Sequence, residues 1–424
     1  MIDLQDISRI GFGGYRLSNH CAEHYKALIY ALKQGCNLLD TAGTYSNGQS
    51  EKLIGRVLQD HPDLPAFVVT KAGYASKDAL TVLQRLQQQG RVTDNIDIMP
   101  AGWKHCIHPD FLQTQLSASL QRLNRKYIDG YLLHNPEYYY TSISSAADAD
   151  CFYKRIFRAF EFLEGQVAKG IIRYYGISSN TFPLSTTLAS TTNLRRVLEA
   201  AREVSSSHHC KLIQFPFNLY ENGAVKAQQE GSSLLAVAKA HKIITFGNRP
   251  LNANSPSGPV RLASYEYALA SLNPVRDQAL FRRVIQRITE QLVRIGADTA
   301  PESYAVLDFL LNNWMALPSQ SAAETVFREH LSPFLLYIYA GRVPVADKRL
   351  YLQFKKTMRT YALMPLNTQQ AALQNQLVSA GLIPADDQRN LSVVACEQYL
   401  KAGIDHVLVG MRKKAYVDTL VPLF

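Results

Sequence analysis

Short apolar runs alternate with longer amphipathic stretches along most of the chain. Eight of the short runs have strand character: Ile10–Phe12, Asn37–Asp40, Phe67–Lys71, Ile128–His134, Ile171–Ile177, Leu212–Phe217, Ile243–Phe246 and His406–Val409. Between them lie stretches with apolar residues three and four apart, such as His24–Gln34, Glu51–Gln59, Pro109–Arg125 and Arg155–Lys169. In the third of these, Phe111, Leu112, Leu116, Ser119, Leu120 and Leu123 fall on one face, and Asp110 suits a helix start. Strands alternating with helices imply a parallel sheet, and eight such units predict an α/β chain closed into a (β/α)8 TIM barrel. In that fold, chemistry sits where strands end.

The alternation breaks after Leu251. From there to about residue 386 the helical candidates are Gln278–Ile295, Glu302–Met315, Ala322–Tyr339 and Leu350–Tyr361. Phe281, Val284, Ile285, Ile288, Leu292 and Ile295 recur at helical spacing, which predicts a packed segment instead of a long bare loop. The organisation expected is therefore a barrel from 1–251 and 387–424, carrying a large helical insertion, 252–386, between strands 7 and 8. Because it leaves the barrel at the strand ends, the insertion is a candidate lid over a substrate pocket; structural padding or an oligomer contact is the plainer alternative.

Composition narrows the function classes. At 424 residues, 47% hydrophobic and 19% charged, the chain has material for a large core and none of the signature of disorder. No stretch approaches the ~18 uninterrupted apolar residues of a membrane span. The N-terminal segment has acids at Asp3 and Asp6 and no long apolar core, so a cytoplasmic location without a membrane partner is expected. Six cysteines without a CxxC pair argue against a zinc cage or a disulfide framework, and no metal is expected. The formal charge of +10 is spread along the chain without a run of five Lys or Arg, which argues against nucleic acid as partner. A phosphate-bearing cofactor or an acidic substrate accounts for it as well.

Candidate chemistry gathers at the strand ends. Strand two ends in Asp40, with Tyr45 five residues on; strand three ends in Lys71, strand four in His134, strand five at "YYGISSN", and strand six carries Gln214. A lone Lys or His in such a place is more often solvated or structural, but five consecutive strands with polar mouths outweigh that reading. A tyrosine of ordinary pKa, ~10, donates poorly at neutral pH unless a cation stabilises its phenolate. Lys71 can supply the charge, Asp40 can hold the lysine charged through an ion pair, and His134 can orient a reacting carbonyl.

These residues resemble the aldo-keto reductase superfamily. The resemblance rests on "DTAGTYSNGQSEKLIG", "VVTKAG", "HPDFLQTQLSASLQRLNRKYIDGYLLHNPE", "AKGIIRYYGISSN", "IQFPFNLY" and "VLVGMRKKAYVDTL". It implies an NAD(P)H-dependent oxidoreductase that moves a hydride between a nicotinamide cofactor and the carbonyl of an aldehyde, ketone or sugar. NADPH is the cofactor implied, with NADH as the other candidate. The same resemblance makes Tyr45 the general acid, Lys71 and Asp40 its tuning pair, and His134 the orienting group. It places the nicotinamide carboxamide against Ser178, Ser179 or Asn180, and Gln214, and the backbone of Gly14 and Tyr15 beside the cofactor. Three places depart from the family pattern. "GISSN" has Ser179 where an asparagine is usual; Asn248, Arg249 and Leu251 follow strand seven where many relatives place an aromatic; and Asp418-Thr419-Leu420 replaces the usual adenosine motif. Arg249 is a candidate for the cofactor diphosphate. Arg412 and Lys413, after Gly410, are candidates for a 2′-phosphate.

Other motifs carry less. "GFGGYR" lacks the third glycine of a dinucleotide fingerprint, and His208-His209-Cys210 reads as a solvated loop. Tyr138, Tyr139 and Tyr140, with Trp103, suit the lining of a pocket for sugars or aromatic carbonyls. A cofactor-binding redox-sensing or regulatory subunit with little turnover is the alternative function, and a (β/α)8 lyase or isomerase the third. An oligomer is compatible with the sequence.

Overall fold

A computed structural model describes residues 2–94, 96–98, 102–141, 149–186, 188, 190–227, 231–255, 258–387 and 389–424. Eight parallel strands close a barrel: β1 (Ile10–Gly13), β2 (Leu38–Asp40), β3 (Phe67–Ala72), β4 (Ile128–His134), β5 (Ile172–Ser178), β6 (Cys210–Pro216), β7 (Ile244–Asn248) and β8 (His406–Val409). Neighbours follow chain order around the barrel, and β8 pairs with β1 to close it. Every strand expected from the sequence is present, with ends shifted by no more than two residues. β3 is buried along its whole length, which is why a near-continuous apolar run marks it. Ile7, Leu38, Phe67, Val69, Leu132, Leu212, Phe246 and Leu408 form one buried cluster drawn from six of the strands.

The register brings the functional strand ends level. Asp40 pairs with Val69, Lys71 with Leu132, His134 with Ser178, and Ser178 with Gln214. Between β5 and β6 the ladder shifts at Tyr175/Gly176, and a Cβ on Gly176 would lie 1.7 Å from the Leu212 carbonyl oxygen. Only glycine lets the two backbones meet there. Helix Pro109–Leu123 shows how local sequence sets an element's bounds. His108 accepts from the Asp110 amide, Pro109 occupies the first turn, and Asn124 ends the helix in the left-handed conformation.

A short antiparallel sheet follows β3, joining Tyr74–Ala75, Trp103–His105 and Ile96–Ile98. These short strands carry Tyr74, Asp97, Lys104 and His105 and form no apolar run, so the sequence pattern does not foretell them.

The chain divides into two compact units, Met1–Leu262 with Asp387–Phe424, and Ala263–Asp386. Residues expected to open the insertion instead form a hairpin of the first unit, Asn252–Ser255 against Gly258–Arg261, and the Leu262 amide donates to the Leu251 carbonyl at 3.0 Å. The boundary therefore falls after Leu262 and not after Leu251.

The second unit is helical with its own core. Helix Pro274–Arg294 is capped by Asn273, and its Phe281 stacks on Trp314 and Phe354 at 5.2 and 5.3 Å. The single helix expected over Ala322–Tyr339 is three segments: Gln320–Thr325, a π turn Val326–Leu331, and Ser332–Ile338. Pro333 explains the interruption, since it lacks an amide hydrogen and its ring crowds the carbonyl four residues earlier.

Because Trp314 fills the centre of this cluster, residues 263–386 expressed alone should give a helical circular-dichroism spectrum and a cooperative urea transition. Trp314→Ala should cost that segment about 3–5 kcal/mol. A segment without a cooperative transition would show that this core does not sustain a fold.

Candidate active site

Lys71 sits at the end of β3 with its side chain fully buried, and each of its three ammonium hydrogens has an acceptor. Nζ donates to Asp40 Oδ1 at 2.6 Å, to the Thr41 carbonyl at 2.9 Å and to the Tyr45 hydroxyl at 3.2 Å. A charged lysine has three donors and no acceptor, so the Tyr45 oxygen must accept from it. The phenolic proton is thereby left to point elsewhere. Burial pulls the Lys71 pKa down, and the Asp40 carboxylate opposes that pull.

Asp40 carries the network across the barrel. Its Oδ1 also accepts from Gln214 Nε2 at 2.8 Å, and Gln214 Oε1 accepts from Ser178 Oγ at 3.4 Å and Asn248 Nδ2 at 3.3 Å. Five strands, β2, β3, β5, β6 and β7, thus contribute to one hydrogen-bonded group.

Tyr45 keeps some overall exposure, yet its phenol titrates as a buried group. Burial, then the Asp40 charge and Tyr15, push its pKa well above the ordinary value. The sequence expectation concerns the phenolate, which Lys71 is placed beside; the hydroxyl itself is shifted upward by burial first and the Asp40 carboxylate next. The hydroxyl is therefore fully protonated at neutral pH, which suits a donor. The loop bearing it is held from behind. Glu51 is wholly buried and accepts from Arg122 Nε at 2.5 Å and Thr70 Oγ1 at 2.6 Å. Arg122 in turn packs over Gly43 and Gly48.

His134 presents its ring edge-on to Tyr45, with centroids 6.1 Å apart. Burial, Lys71 and His105 hold its pKa well below the ordinary value, so it is a neutral imidazole. His105, fully buried and lowered to about 4 by burial, is neutral too. Its Nε2 lies 2.7 Å from the His134 carbonyl, which can only accept, so Nε2 carries the hydrogen. Tyr74 stands edge-on to both rings, at 4.8 Å from His134 and 5.6 Å from His105, and Asn135 Nδ2 donates to its hydroxyl at 2.6 Å. Gly73, at φ +154°, admits this packing, because a Cβ there would lie 2.7 Å from both His105 Nε2 and the His134 carbonyl oxygen.

The residues considered for a cofactor divide into two groups. Ser178, Gln214 and Asn248 belong to the central network, and Asn248 Oδ1 is buried without a hydrogen bond. The Gly14 amide donates to the Asp40 carbonyl at 2.7 Å, and Tyr15, 67% exposed, meets Tyr45 edge-on at 5.2 Å. Ser179 is committed elsewhere: its hydroxyl forms a triangle with Thr181 and Thr192 at 3.0 and 2.9 Å. Asn180 is exposed, and its amide donates to Glu137 Oε1 at 2.8 Å. Arg249, at φ +53°, is paired with Glu221 at 2.8 Å, while Leu251 is a buried core residue. Gly410, Arg412 and Lys413 follow β8 and precede the short helix Lys414–Leu420, outside the central network.

Sequence reasoning did not find Tyr74, His105, Glu137 or the Thr41 carbonyl. The first two lie on the short sheet, and a histidine beside "GWKHC" gives no periodic signal. Of the motifs set aside, His209 pairs with Glu164 at 2.5 Å and Tyr138 packs on Tyr74. Among the described residues no group of three His, Cys, Asp or Glu is placed for a metal, and no helix is long and apolar enough to cross a membrane. A shallow recess lined by Tyr127, Gly170, Arg173 and His209 lies at the opposite strand ends and holds none of this network.

A model of the aldo/keto reductase family matches residues 9–243, more than half of the chain. YqkF, an uncharacterised oxidoreductase of Bacillus subtilis (strain 168), is 29% identical over 174 residues, which are 41% of this chain and 45% of that one. The NADH-specific methylglyoxal reductase of Escherichia coli (strain K12) is 26% identical over 136 residues, 30% of this chain and 38% of that one. The match thus spans less than half the length of either relative. Among solved structures, the glycerol dehydrogenase AKR11B4 of Gluconobacter oxydans is 18% identical with a TM-score of 0.49, covering 99% of this chain and 86% of that one.

The buried pair gives a pH-dependent prediction. The folded pKa of Lys71 lies below its unfolded value, so between the two the unfolded chain binds the extra proton and stability rises with pH. Asp40→Asn removes the opposing charge and widens that window downward. It should cost about 3–5 kcal/mol at pH 7, recovering by up to ~1.4 kcal/mol per pH unit toward pH 10. Urea unfolding at pH 7, 8.5 and 10 measures this, and a loss that does not change with pH would mean that Lys71 stays charged without Asp40.

Proposed function

The chain belongs to the aldo/keto reductase family, and from that premise we propose that it catalyses hydride transfer between a nicotinamide cofactor and the carbonyl of a small aldehyde, ketone or sugar. The observation that carries this reading is the Tyr45 hydroxyl, which accepts from Lys71 and so keeps its own proton to give.

The residues fit a nicotinamide. A carboxamide needs acceptors for its NH2 and a donor for its oxygen. Asn248 Oδ1 is buried and unpartnered, Gln214 Oε1 has only long contacts, and the Ser178 hydroxyl can turn to donate. When bound, the cofactor supplies or takes up the hydride. The chain's part is then positional and protonic. His134, neutral, hydrogen-bonds the carbonyl oxygen and directs it at Tyr45. Tyr45 gives that oxygen its proton in reduction, and the phenolate left behind lies beside the Lys71 ammonium until solvent reprotonates it. Asp40 keeps the ammonium charged in a buried place and, through Gln214, ties it to the carboxamide side. The aromatic surround of His134, made by Tyr74, Trp103 and Tyr138, favours substrates with an apolar, aromatic or sugar C–H face.

Tyr45→Phe keeps the ring and removes the transferable proton, so the reduction rate should fall ~100-fold or more while NADPH binding survives. Steady-state assays over a panel of aldehydes, ketones and sugars, with cofactor titration by fluorescence, provide both numbers. Near-normal reduction by a folded variant would remove Tyr45 as general acid and favour a regulatory, cofactor-sensing role.

Arg412 and Lys413 support NADPH as the preferred cofactor, each charge-assisted contact to a 2′-phosphate contributing about 1.5–3 kcal/mol. The same titration with NADPH and NADH tests it, and equal affinities would reject the preference.

A further inference from the structure

Glu137 is a carboxylic acid that the proposed chemistry does not use. It lies three residues after His134 on the turn Pro136–Thr141 and is 8% exposed. Oε1 accepts the Asn180 amide at 2.8 Å, while Oε2 is buried without a hydrogen bond. The charged groups on the elements packed against this turn are engaged elsewhere. Lys104 pairs with Asp97 at 2.9 Å and Arg155 with Asp94 at 3.1 Å, and His105 is neutral. Tyr74 faces it with a pKa raised by burial, and Tyr138 packs edge-on against Tyr74. No Lys or Arg forms an ion pair with Glu137 among the described residues. A buried carboxyl with no counter-ion is costly when ionised, and burial pushes its pKa up to about 7 against the opposing pull of the Asn180 amide and the nearby Ser179 hydroxyl.

What Glu137 holds is the strand end where the cofactor carboxamide is proposed to rest. At position 179 the side chain is a serine whose hydroxyl is bonded to Thr181 and Thr192 and also stands beside the Glu137 carboxyl, so it is turned toward the protein and gives the shelf Ser178–Asn180 no hold on a ligand. Its tie to the segment after β4 runs through two bonds: the Asn135 amide donates to the Ser178 carbonyl at 2.7 Å, and the Asn180 amide donates to the Glu137 carboxyl.

We propose that Glu137 is a positioning residue for cofactor binding, acting through the Asn180 amide, and that gain of a proton at its unpartnered oxygen loosens the shelf. The ionised carboxylate makes a charge-assisted hydrogen bond to Asn180. A proton on the carboxyl removes the charge that strengthens that bond. Cofactor affinity is therefore greatest above neutrality and falls as the solution is acidified. This rests on the nicotinamide reading of the preceding subsection.

The test is equilibrium titration of the full chain with NADH, followed by quenching of tryptophan fluorescence, from pH 5.5 to 8.5. NADH is chosen because it lacks the 2′-phosphate, which itself titrates in this range. In the unaltered protein the affinity should fall about three- to tenfold between pH 8 and pH 6, the difference between a charged and a neutral hydrogen bond. Glu137→Gln keeps an acceptor for Asn180 without a charge, so it should bind with the weaker, acid-side affinity at every pH. Glu137→Ala, without an acceptor, should bind more weakly still. A flat profile in the unaltered protein, or the same step persisting in Glu137→Gln, overturns the proposal. If the glutamine variant does not fold, the Asn180 amide of 15N-asparagine-labelled protein reads the same event, and a resonance that does not shift across pH 7 overturns it. Saturable but pH-independent binding removes this inference alone. Absence of quenching by both NADH and NADPH at every pH removes the cofactor reading and this inference with it.

Discussion

The contact on which the rest of the site depends is the 2.6 Å ion pair between Lys71 and Asp40. Two opposite charges out of water are tolerable only if further hydrogen bonds support them, and both members of this pair have such bonds. The ammonium spends its other hydrogens on a backbone carbonyl and a phenol; the carboxylate takes a further hydrogen from Gln214. Each of those bonds fixes a group that would otherwise choose its own rotamer. The direction of the Tyr45 hydroxyl and the orientation of the Gln214 amide both follow from two charges that must not be left unpaired.

The far side of the site runs on the opposite principle. Around His134 the groups are uncharged: a neutral imidazole, a second neutral imidazole bonded to its carbonyl, and aromatic edges. Burial keeps both histidines from protonating near neutral pH, so neither repels Lys71 under those conditions. One wall of the site therefore holds fixed charge and the other holds oriented dipoles, and a polarised carbonyl between them meets a donor on one side and a neutral hydrogen-bonding group on the other.

Most of the barrel and its central residues could be read from the chain because each leaves a local mark. A barrel strand that is buried on both faces is an apolar run, and a polar residue at its end stands out against it; Asp40, Lys71 and His134 are of this kind. Tyr74 and His105 leave no such mark, since their short strands are not apolar runs and their partners are set by pairing at a distance. Glu137 was hidden for another reason: an acid in a turn is ordinarily a solvated one, and only the packing of the turn against Asn180 makes it a buried one. The behaviour of Ser179 was equally non-local, because Thr192, thirteen residues on, claims its hydroxyl. The division of the long segment after β7 followed the hydrophobic spacing, but its first ten residues belonged to a hairpin whose polar strands, "NANS" and "GPVR", look like loop.

The Glu51–Arg122 clamp has a consequence for how this chain can change over generations. Arg122 fills the space that side chains at 43 and 48 would need: a Cβ would come within 3.0 Å of its Nη2 at Gly43 and 2.7 Å of its Cδ at Gly48, where φ is also +78°. The exposed tip at Asn47 meets no such clash, and only its left-handed backbone, at φ +55°, restricts it. A replacement at either glycine moves the arginine that balances a wholly buried carboxylate, slightly at Gly43 and more at Gly48. Drift in this stretch should therefore be concerted, with positions 43, 48, 51 and 122 inherited as one unit although the last stands seventy-one residues from its partner.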